Sequence, residues 1–223
     1  MVRPRVLITG FGPFPGVPDN PSAWLAEMFA ARPVGFDCEL HARVLPTEWE
    51  AAALSLRLCE TLQPHVMIHF GLSARAKTFR IERSAYNRAV PRADARGALP
   101  ATPTIRSAGP DRFDTSLPAA SLAAHLRMRG LPAVTSRSAG RYLCNFLYYH
   151  SLAWARGQTE TPLVLFVHIP PLPAGPFREQ TLLDGAREIL RFVLAFASEQ
   201  EPAKAILGPA FAQGEARLNL RDA

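Results

Sequence analysis

The sequence predicts an α/β fold: a single domain with an open, twisted, mainly parallel sheet and helices on both faces. The main observation is that short apolar, β-branched runs alternate along the chain with segments whose apolar residues recur at helical spacing. Length and composition agree, because 223 residues with 48% hydrophobic and 20% charged residues suit one compact core. Strands connected in this way are buried on both sides, so helices are expected on each face.

The elements follow from these patterns in chain order. Apolar runs bounded by turn residues predict strands at 6–9, 38–45, 66–70, 133–136 and 163–169. Helical periodicity predicts helices at 23–31, 48–62, 117–128, 140–155 and 179–197. Thr47 is expected to cap the second of these helices. Periodicity fades between 72 and 116, which predicts loops or a hairpin, and residues 202–223 are expected to be less ordered than the rest.

Charge and cysteine content narrow the classes of function. The net charge is +6, but the basic residues are scattered and form no run, which argues against a nucleic-acid partner. Cys38, Cys59 and Cys144 form no CxxC pair and have no metal-ligand spacing to histidine, so neither a disulfide framework nor a metal site is predicted. No segment approaches the ~20 apolar residues of a membrane span. We therefore expect no membrane partner and a reducing, cytoplasmic location.

The chemically distinctive residues follow the predicted strands. In an open α/β sheet, the loops at the carboxyl ends of the strands build the functional site. These positions hold the turn-rich loop Gly10–Gly16, the stretch Gly71–Asn87, and His168. Cys144 lies within about a turn of a predicted helix start, where backbone N–H groups and the helix dipole favour a thiolate.

The residues alone leave this site undecided. Cys144 has apolar neighbours, and a cysteine in such surroundings is commonly a core residue. His168 ends an apolar strand, where either a general base or a structural histidine fits. Glu82 is flanked by Arg80 and Arg83, so a solvated carboxylate in an ion pair is its simplest interpretation. Composition and periodicity thus indicate a Cys/His/acid candidate and go no further.

Four segments carry more specific motifs. They are LITGFGPFPGVPDNPS from Leu7, HFGLSARAKTFRIERSAYN from His69, SAGRYLCNFLYYHSL from Ser138 and FVHIPPLP from Phe166. Together they resemble the pyroglutamyl peptidase I family, also called the pyrrolidone-carboxylate peptidases, in the family's order and at similar separations. The resemblance covers about residues 5–197, and the segment around Cys144 is its most specific part.

The resemblance implies a cysteine peptidase that removes an N-terminal pyroglutamyl residue from peptides through a thioester acyl-enzyme. Its fold would be an α/β/α sandwich of the phosphorylase/hydrolase-like kind. Cys144 would be the nucleophile, His168 the general base and Glu82 the carboxylate that orients the histidine. Neither a metal nor an organic cofactor is implied. Peptides with an N-terminal pyroglutamate are the expected partners, and a homodimer or homotetramer is compatible with the family.

The resemblance also implies a lactam pocket. Phe11, Phe14, Leu72 and Leu143 are expected to bind substrate, because the flat, uncharged pyroglutamyl ring suits an apolar slot. Core packing beneath the loop is the alternative for the two phenylalanines. Backbone N–H groups at Leu143 and Cys144 are the expected oxyanion donors.

Two further contributions are expected around this pocket. Asn20 is expected to bond the backbone of the first loop, as asparagines before proline often do. An arginine that assists the oxyanion is also expected, without a choice among four. The candidates are Arg75, Arg83, Arg88 and Arg92.

Two stretches depart from the family's usual pattern. Residues 71–76 read GLSARA where many bacterial members have Gly-Gln-Ala-Gly-Gly-Arg, so a glutamine that can contact the lactam is absent. Residues 88–106 also lack the usual Asp-rich pattern. An amidase for another lactam or short acyl group therefore stays open, as does a catalytically weak relative with a binding or structural role. The presence of Cys144, His168 and Glu82 together argues against the weak relative.

Overall fold

A six-stranded sheet forms the centre of the molecule in the order β2-β1-β3-β8-β4-β7. The computed structural model describes residues 3–31, 35–175 and 177–207, with side chains described to residue 200. The strands are β1 (Arg5–Phe11), β2 (Glu39–Leu45), β3 (Val66–Leu72), β4 (Phe79–Glu82), β5 (Ser84–Tyr86), β6 (Arg112–Asp114), β7 (Ala133–Ser136) and β8 (Leu163–Ile169). The helices are α1 (Pro21–Ala31), α2 (Ala51–Leu62), α3 (Ala119–Met128), α4 (Leu143–Arg156) and α5 (Glu179–Leu207).

Neighbouring strands of this sheet run parallel except at the β8–β4 pair. There Ile81 lies opposite Val167 in an antiparallel ladder. The mainly parallel sheet predicted from the alternation of strands and helices is therefore confirmed.

Helices cover both faces of the sheet, as predicted. One apolar cluster joins the strands to α1, α3 and α5, and a second joins them to α2 and α4. Side chains alternate between the two clusters along each strand, so Leu165 and Val167 of β8 enter the first while Val164 and Phe166 enter the second. The residue after Val167 is His168, which therefore points to the face that carries α2 and α4.

The segment predicted to contain loops or a hairpin holds three strands. β4 joins the main sheet between β8 and β7, and β5 pairs with β6 in a separate antiparallel sheet. The β4 sequence FRIE does alternate, with Phe79 and Ile81 buried in the first apolar cluster. Four residues are too few for this alternation to stand out in a region dense in proline, glycine and charge.

The expected cap at Thr47 is wrong. The Thr47 hydroxyl instead donates to the carbonyl of Gly12 at 2.7 Å, which ties it to the first loop. The Asp94 carboxylate accepts the backbone N–H of Trp49 at 3.0 Å, just before α2 begins at Ala51. Glu50 flanks the start of α2, and among the described residues no side chain caps it, so Asp94 holds the turn that precedes the helix.

Two helix boundaries also differ from the prediction. Helix α4 begins at Leu143 rather than residue 140, because Gly140 has a φ of +88° and Tyr142 is extended. Helix α5 continues to Leu207, ten residues past the predicted end, so the first part of the expected disordered tail is helical. Residues 208–223 of that predicted tail lie outside the described residues. No helix in the described ranges has an apolar stretch long enough to cross a membrane.

Candidate active site

The first loop is held by hydrogen bonds to its own backbone. Asn20 Nδ2 donates to the Gly12 carbonyl at 2.9 Å, and Asn20 Oδ1 accepts the backbone N–H of Ser22 at 3.1 Å. The Thr47 hydroxyl reaches the same Gly12 carbonyl, so two side chains fix one peptide group. The predicted role of Asn20 in shaping this loop is confirmed.

Cys144 is the second residue of α4, and its thiol lies over the end of β3. A Cβ atom added to Gly71 would approach Cys144 Sγ to 3.0 Å and Phe166 Cζ to 2.7 Å, so only glycine leaves room for the sulfur. Among the described residues no side chain caps the start of α4, where Tyr142 is the extended flanking residue. The first N–H groups of the helix are therefore free to bind a negative group.

His168 joins the sulfur to a carboxylate. Its Nδ1 lies 2.8 Å from Glu82 Oε1, and the Cys144 side chain is close enough to the ring to raise its pKa. With Nδ1 occupied by the carboxylate, Nε2 is the nitrogen left to face the sulfur. The three residues proposed from the motifs thus form one continuous chain across α4, β8 and β4.

The charge state of His168 follows from these contacts. Burial alone would lower the pKa of the imidazole, but the charge and hydrogen bond of Cys144 and the carboxylate of Glu82 raise this pKa to about 9. The ring is therefore protonated at neutral pH. A protonated imidazole held between a sulfur and a carboxylate can stabilise a thiolate and later release a proton.

Glu82 is buried, which corrects the expectation of a solvated carboxylate. Its side chain has no exposed surface, and the nearest ion-pair partner besides His168 is Arg80, with Nε 3.8 Å from Oε1. The Tyr148 hydroxyl donates to the Glu82 backbone carbonyl at 3.1 Å. Glu82 Oε2 has no hydrogen-bond partner in the described part of the chain. A buried oxygen without a partner lowers the stability of the fold, so a role in stability alone does not explain why this carboxylate is buried.

Asn145 is a site residue that the sequence analysis missed. Its Oδ1 accepts the Tyr86 N–H at 2.8 Å, while Nδ2 donates to the carbonyls of Tyr86 at 2.8 Å and Arg88 at 3.0 Å. This fully buried amide thereby fastens the segment after Glu82 to the start of α4. Its position directly after Cys144, inside the most specific of the four segments, could have indicated a role in the site.

His69 was also missed, although it lies on the same face of β3 as Gly71. Its Nδ1 is 2.7 Å from the Thr9 hydroxyl, and burial lowers the pKa of the ring to about 3. It is therefore neutral at all physiological pH values.

The four residues predicted to bind substrate fall into two groups. Phe11 and Leu143 are each 3% exposed and belong to the apolar cluster beneath α2 and α4. Phe14 and Leu72 are half-buried at the ends of the first loop and of β3. Leu143 directly precedes Cys144, and Leu72 directly follows Gly71, which contacts the sulfur. The near-complete burial of Phe11 also fits the alternative of core packing.

The arginines considered for the oxyanion separate in the structure. Arg75 is exposed, the Arg92 guanidinium lies 4.8 Å from the centre of the Tyr142 ring, and Arg88 lines a cleft together with Arg141. Arg83 donates its backbone N–H to the Ser136 carbonyl. Among the described residues, no group of three or more His, Cys, Asp or Glu side chains is placed to hold a metal ion.

The whole arrangement matches a known family. The sequence model of the pyroglutamyl peptidases matches residues 4–183. The chain belongs to the pyroglutamyl peptidase family. This finding confirms the resemblance seen in the four sequence segments, and pyroglutamyl peptidases are a family of cysteine peptidases.

Individual family members extend the match over most of the chain. A pyrrolidone-carboxylate peptidase of Chromobacterium violaceum is 37% identical over 175 residues, which cover 78% of this chain and 80% of the relative. Pyroglutamyl-peptidase 1 of Homo sapiens is 31% identical over 207 residues, which cover 90% of this chain and 96% of the relative. The solved pyrrolidone carboxyl peptidase from Thermococcus litoralis superposes with a TM-score of 0.82 at 26% identity, covering 89% of this chain and 96% of that one.

Proposed function

We propose that this protein hydrolyses the peptide bond after an N-terminal pyroglutamyl residue, with Cys144 as nucleophile. The observation that carries the proposal is the partly exposed thiol of Cys144 beside His168, whose ring is bonded to the buried carboxylate of Glu82. The named activities of its relatives supply the substrate class.

In the first half of the reaction, His168 holds the thiol proton as an imidazolium beside the sulfur. Glu82 accepts the Nδ1 proton, which keeps Nε2 directed at Cys144 and stabilises the charged ring. The thiolate attacks the pyroglutamyl carbonyl. The uncapped N–H groups of Leu143 and Cys144 bind the oxyanion that forms.

In the second half, His168 donates its proton to the departing amine, which releases the shortened peptide and leaves a thioester on Cys144. Neutral His168 then takes a proton from water, whose oxygen attacks the thioester. Pyroglutamate leaves and the proton returns to the pair. Every bond change is served by these side chains and water, so the reaction needs no cofactor.

The pyroglutamyl ring would bind between the first loop and the start of α4. Phe11, Phe14, Leu72 and Leu143 supply apolar surface there, and backbone groups of the fixed loop can bond the lactam. Leu72 occupies part of the stretch that departs from the bacterial pattern. The ring would therefore be recognised mainly by shape and by backbone contacts.

We place the enzyme in the cytoplasm, as one domain that acts on peptides as a homodimer or homotetramer. Its three cysteines are free thiols in the structure, which suits a reducing compartment. The family match spans residues 4–183 without interruption, which favours a single domain.

Release of a fluorogenic amine from its pyroglutamyl amide tests the proposal. We expect turnover by the wild type and by Cys38→Ala, a matched cysteine variant away from the site, and none by Cys144→Ala. Iodoacetamide should abolish activity in both active proteins. Folded wild-type protein without turnover would refute the activity, and turnover by Cys144→Ala would refute the nucleophile. Parallel assays with prolyl, glutaminyl and acetyl amides decide whether the altered stretch at Leu72 favours another acyl group.

A further inference from the structure

A charged cleft lies beside the amino end of α4. It has a volume of about 470 Å³ and is lined by Tyr86, Arg88, Asp111, Ser138 and Arg141. Two arginines and one aspartate thus line it. Among the described residues, neither arginine has an ion-pair partner within 4.0 Å. The cleft therefore carries positive charge that the protein does not neutralise.

The walls of this cleft are tied to the helix that carries the nucleophile. Asn145 Nδ2 holds the Arg88 carbonyl at 3.0 Å, and the Val90 N–H donates to the Arg141 carbonyl at 2.7 Å. Arg141 lies three residues before Cys144. The backbone that carries both arginines is therefore positioned relative to the sulfur.

The order of the strands places the cleft on the leaving-group side of the sulfur. Cys144 lies over β3, with β1 and its phenylalanine loop on one side and β8 and β4 on the other. With the lactam against the β1 loop, the departing amine lies towards His168 on β8 and Glu82 on β4. Arg88 follows β4 and β5 along the chain, and Ser138 follows β7, so this wall of the cleft lies farther in the same direction.

We infer that Arg88 and Arg141 form a subsite for a carboxylate within the first three residues after the scissile bond. The inference rests on the proposed function, because the cleft would select among pyroglutamyl peptides. Guanidinium groups match carboxylates in geometry and charge. Three residues of extended chain span about 10 Å. The Arg141 and Cys144 backbones can therefore be no farther apart than that, and a peptide that extends three residues past the scissile bond covers the same distance.

The carboxylate can come from an acidic side chain or from a free carboxyl terminus, and substrate pairs distinguish these sources. Pyroglutamyl-trialanine amide is made with Glu or Gln at each of its three alanine positions, and pyroglutamyl-dialanine is made as acid and amide. The readout is the ratio of kcat/KM for the acid and neutral members of each pair. A ratio taken within one enzyme cancels any general loss of activity.

We expect a wild-type ratio of about 3 to 10 for at least one pair, the size of a solvent-exposed charge-assisted contact. The ratio should fall to about 1 in the double variant R88Q/R141Q and decline with added salt. The matched control R187Q, on α5 at the opposite face of the sheet, should keep the wild-type ratio. D111N should raise the ratio, because it removes the carboxylate that repels the ligand.

Two outcomes would overturn the subsite: ratios near 1 for every pair in the wild type, or a wild-type preference that survives in R88Q/R141Q. Failure of the proposed function looks different. In that case the folded wild type would cleave neither member of any pair.

Discussion

Both faces of the central sheet bury apolar side chains, and the face towards α2 and α4 also buries the polar side chains of the site. Towards α1, α3 and α5, the strands present apolar residues such as Ile68, Ile81 and Val167. Towards α2 and α4, the neighbouring positions on β4 and β8 are Glu82 and His168. Because side chains alternate along a strand, each strand can stabilise the fold with one face and supply chemistry with the other.

The energetic consequences of burial also differ between the faces. Buried side-chain atoms that lack a hydrogen-bond partner in the described residues include Glu82 Oε2, His69 Nε2 and Ser151 Oγ. All three belong to elements of the face that carries α4. Such atoms are unfavourable for stability, so this face departs from optimal packing where the site is built. Changes to the polar site residues of this face should mainly alter activity, and changes to apolar residues of the opposite face should mainly alter stability.

The largest expected effect comes from Glu82→Gln on the catalytic face. Loss of the carboxylate leaves His168 without its charged partner and its fixed tautomer, so kcat should fall about 100- to 10,000-fold. Steady-state kinetics on a pyroglutamyl amide measures this. Glu188→Gln, which removes a carboxylate paired with Arg129 on the opposite side of the molecule, should retain kcat. Similar losses in both variants would contradict the division between the faces.

On the apolar face, Leu122→Ala should destabilise the protein by about 2–5 kcal/mol, because it leaves a cavity under α3. Chemical denaturation measures the change in the free energy of unfolding. The kcat of the folded protein should stay within about twofold of wild type. A tenfold loss of kcat with native stability would show that the two faces are coupled.

Gly71→Ala tests the close contact beneath the sulfur. The new methyl group would lie 3.0 Å from Cys144 Sγ, so the thiol must move and kcat/KM should fall about 100-fold. Overpacking against Phe166 should cost about 1–3 kcal/mol of stability. Gly157→Ala is the matched control at the end of α4, where the nearest contact, the Trp154 carbonyl, is 3.4 Å away. Its kcat/KM should not change, and an active Gly71→Ala enzyme would argue against the contact.

The smallest expected effect is a shift in the titration of His168. Its pKa of about 9 keeps the ring charged at neutral pH, so kcat/KM should fall as pH rises through about 9, where the proton for the leaving amine is lost. In Cys144→Ala, both contributions of the sulfur disappear and the pKa of His168 should move downward. Nuclear magnetic resonance titration of the ring in both proteins measures the change. An identical pKa would show that the sulfur does not interact with the ring.

Local patterns predicted the helices and strands that are long enough to show a periodic arrangement of apolar residues. The apolar runs of β1, β3 and β8 are long enough to identify each strand, and amphipathic periodicity identified α5. The strand β4 was not predicted, because four residues in a polar region carry little local signal. The contact that holds the turn before α2 was not predicted, because its oxygen comes from Asp94, more than forty residues farther along the chain.

The site shows the same division. Local patterns and motifs were enough to place Cys144 at a helix start and His168 at a strand end, and to imply a family. That Glu82 is buried and bonded to a histidine 86 residues away follows from the packing of the strands. The neighbouring arginines in the sequence indicated a surface ion pair. Glu82 is buried instead because β4 lies between β8 and β7 in the sheet. Such long-range pairing has no period in the sequence, whereas helices and strands do.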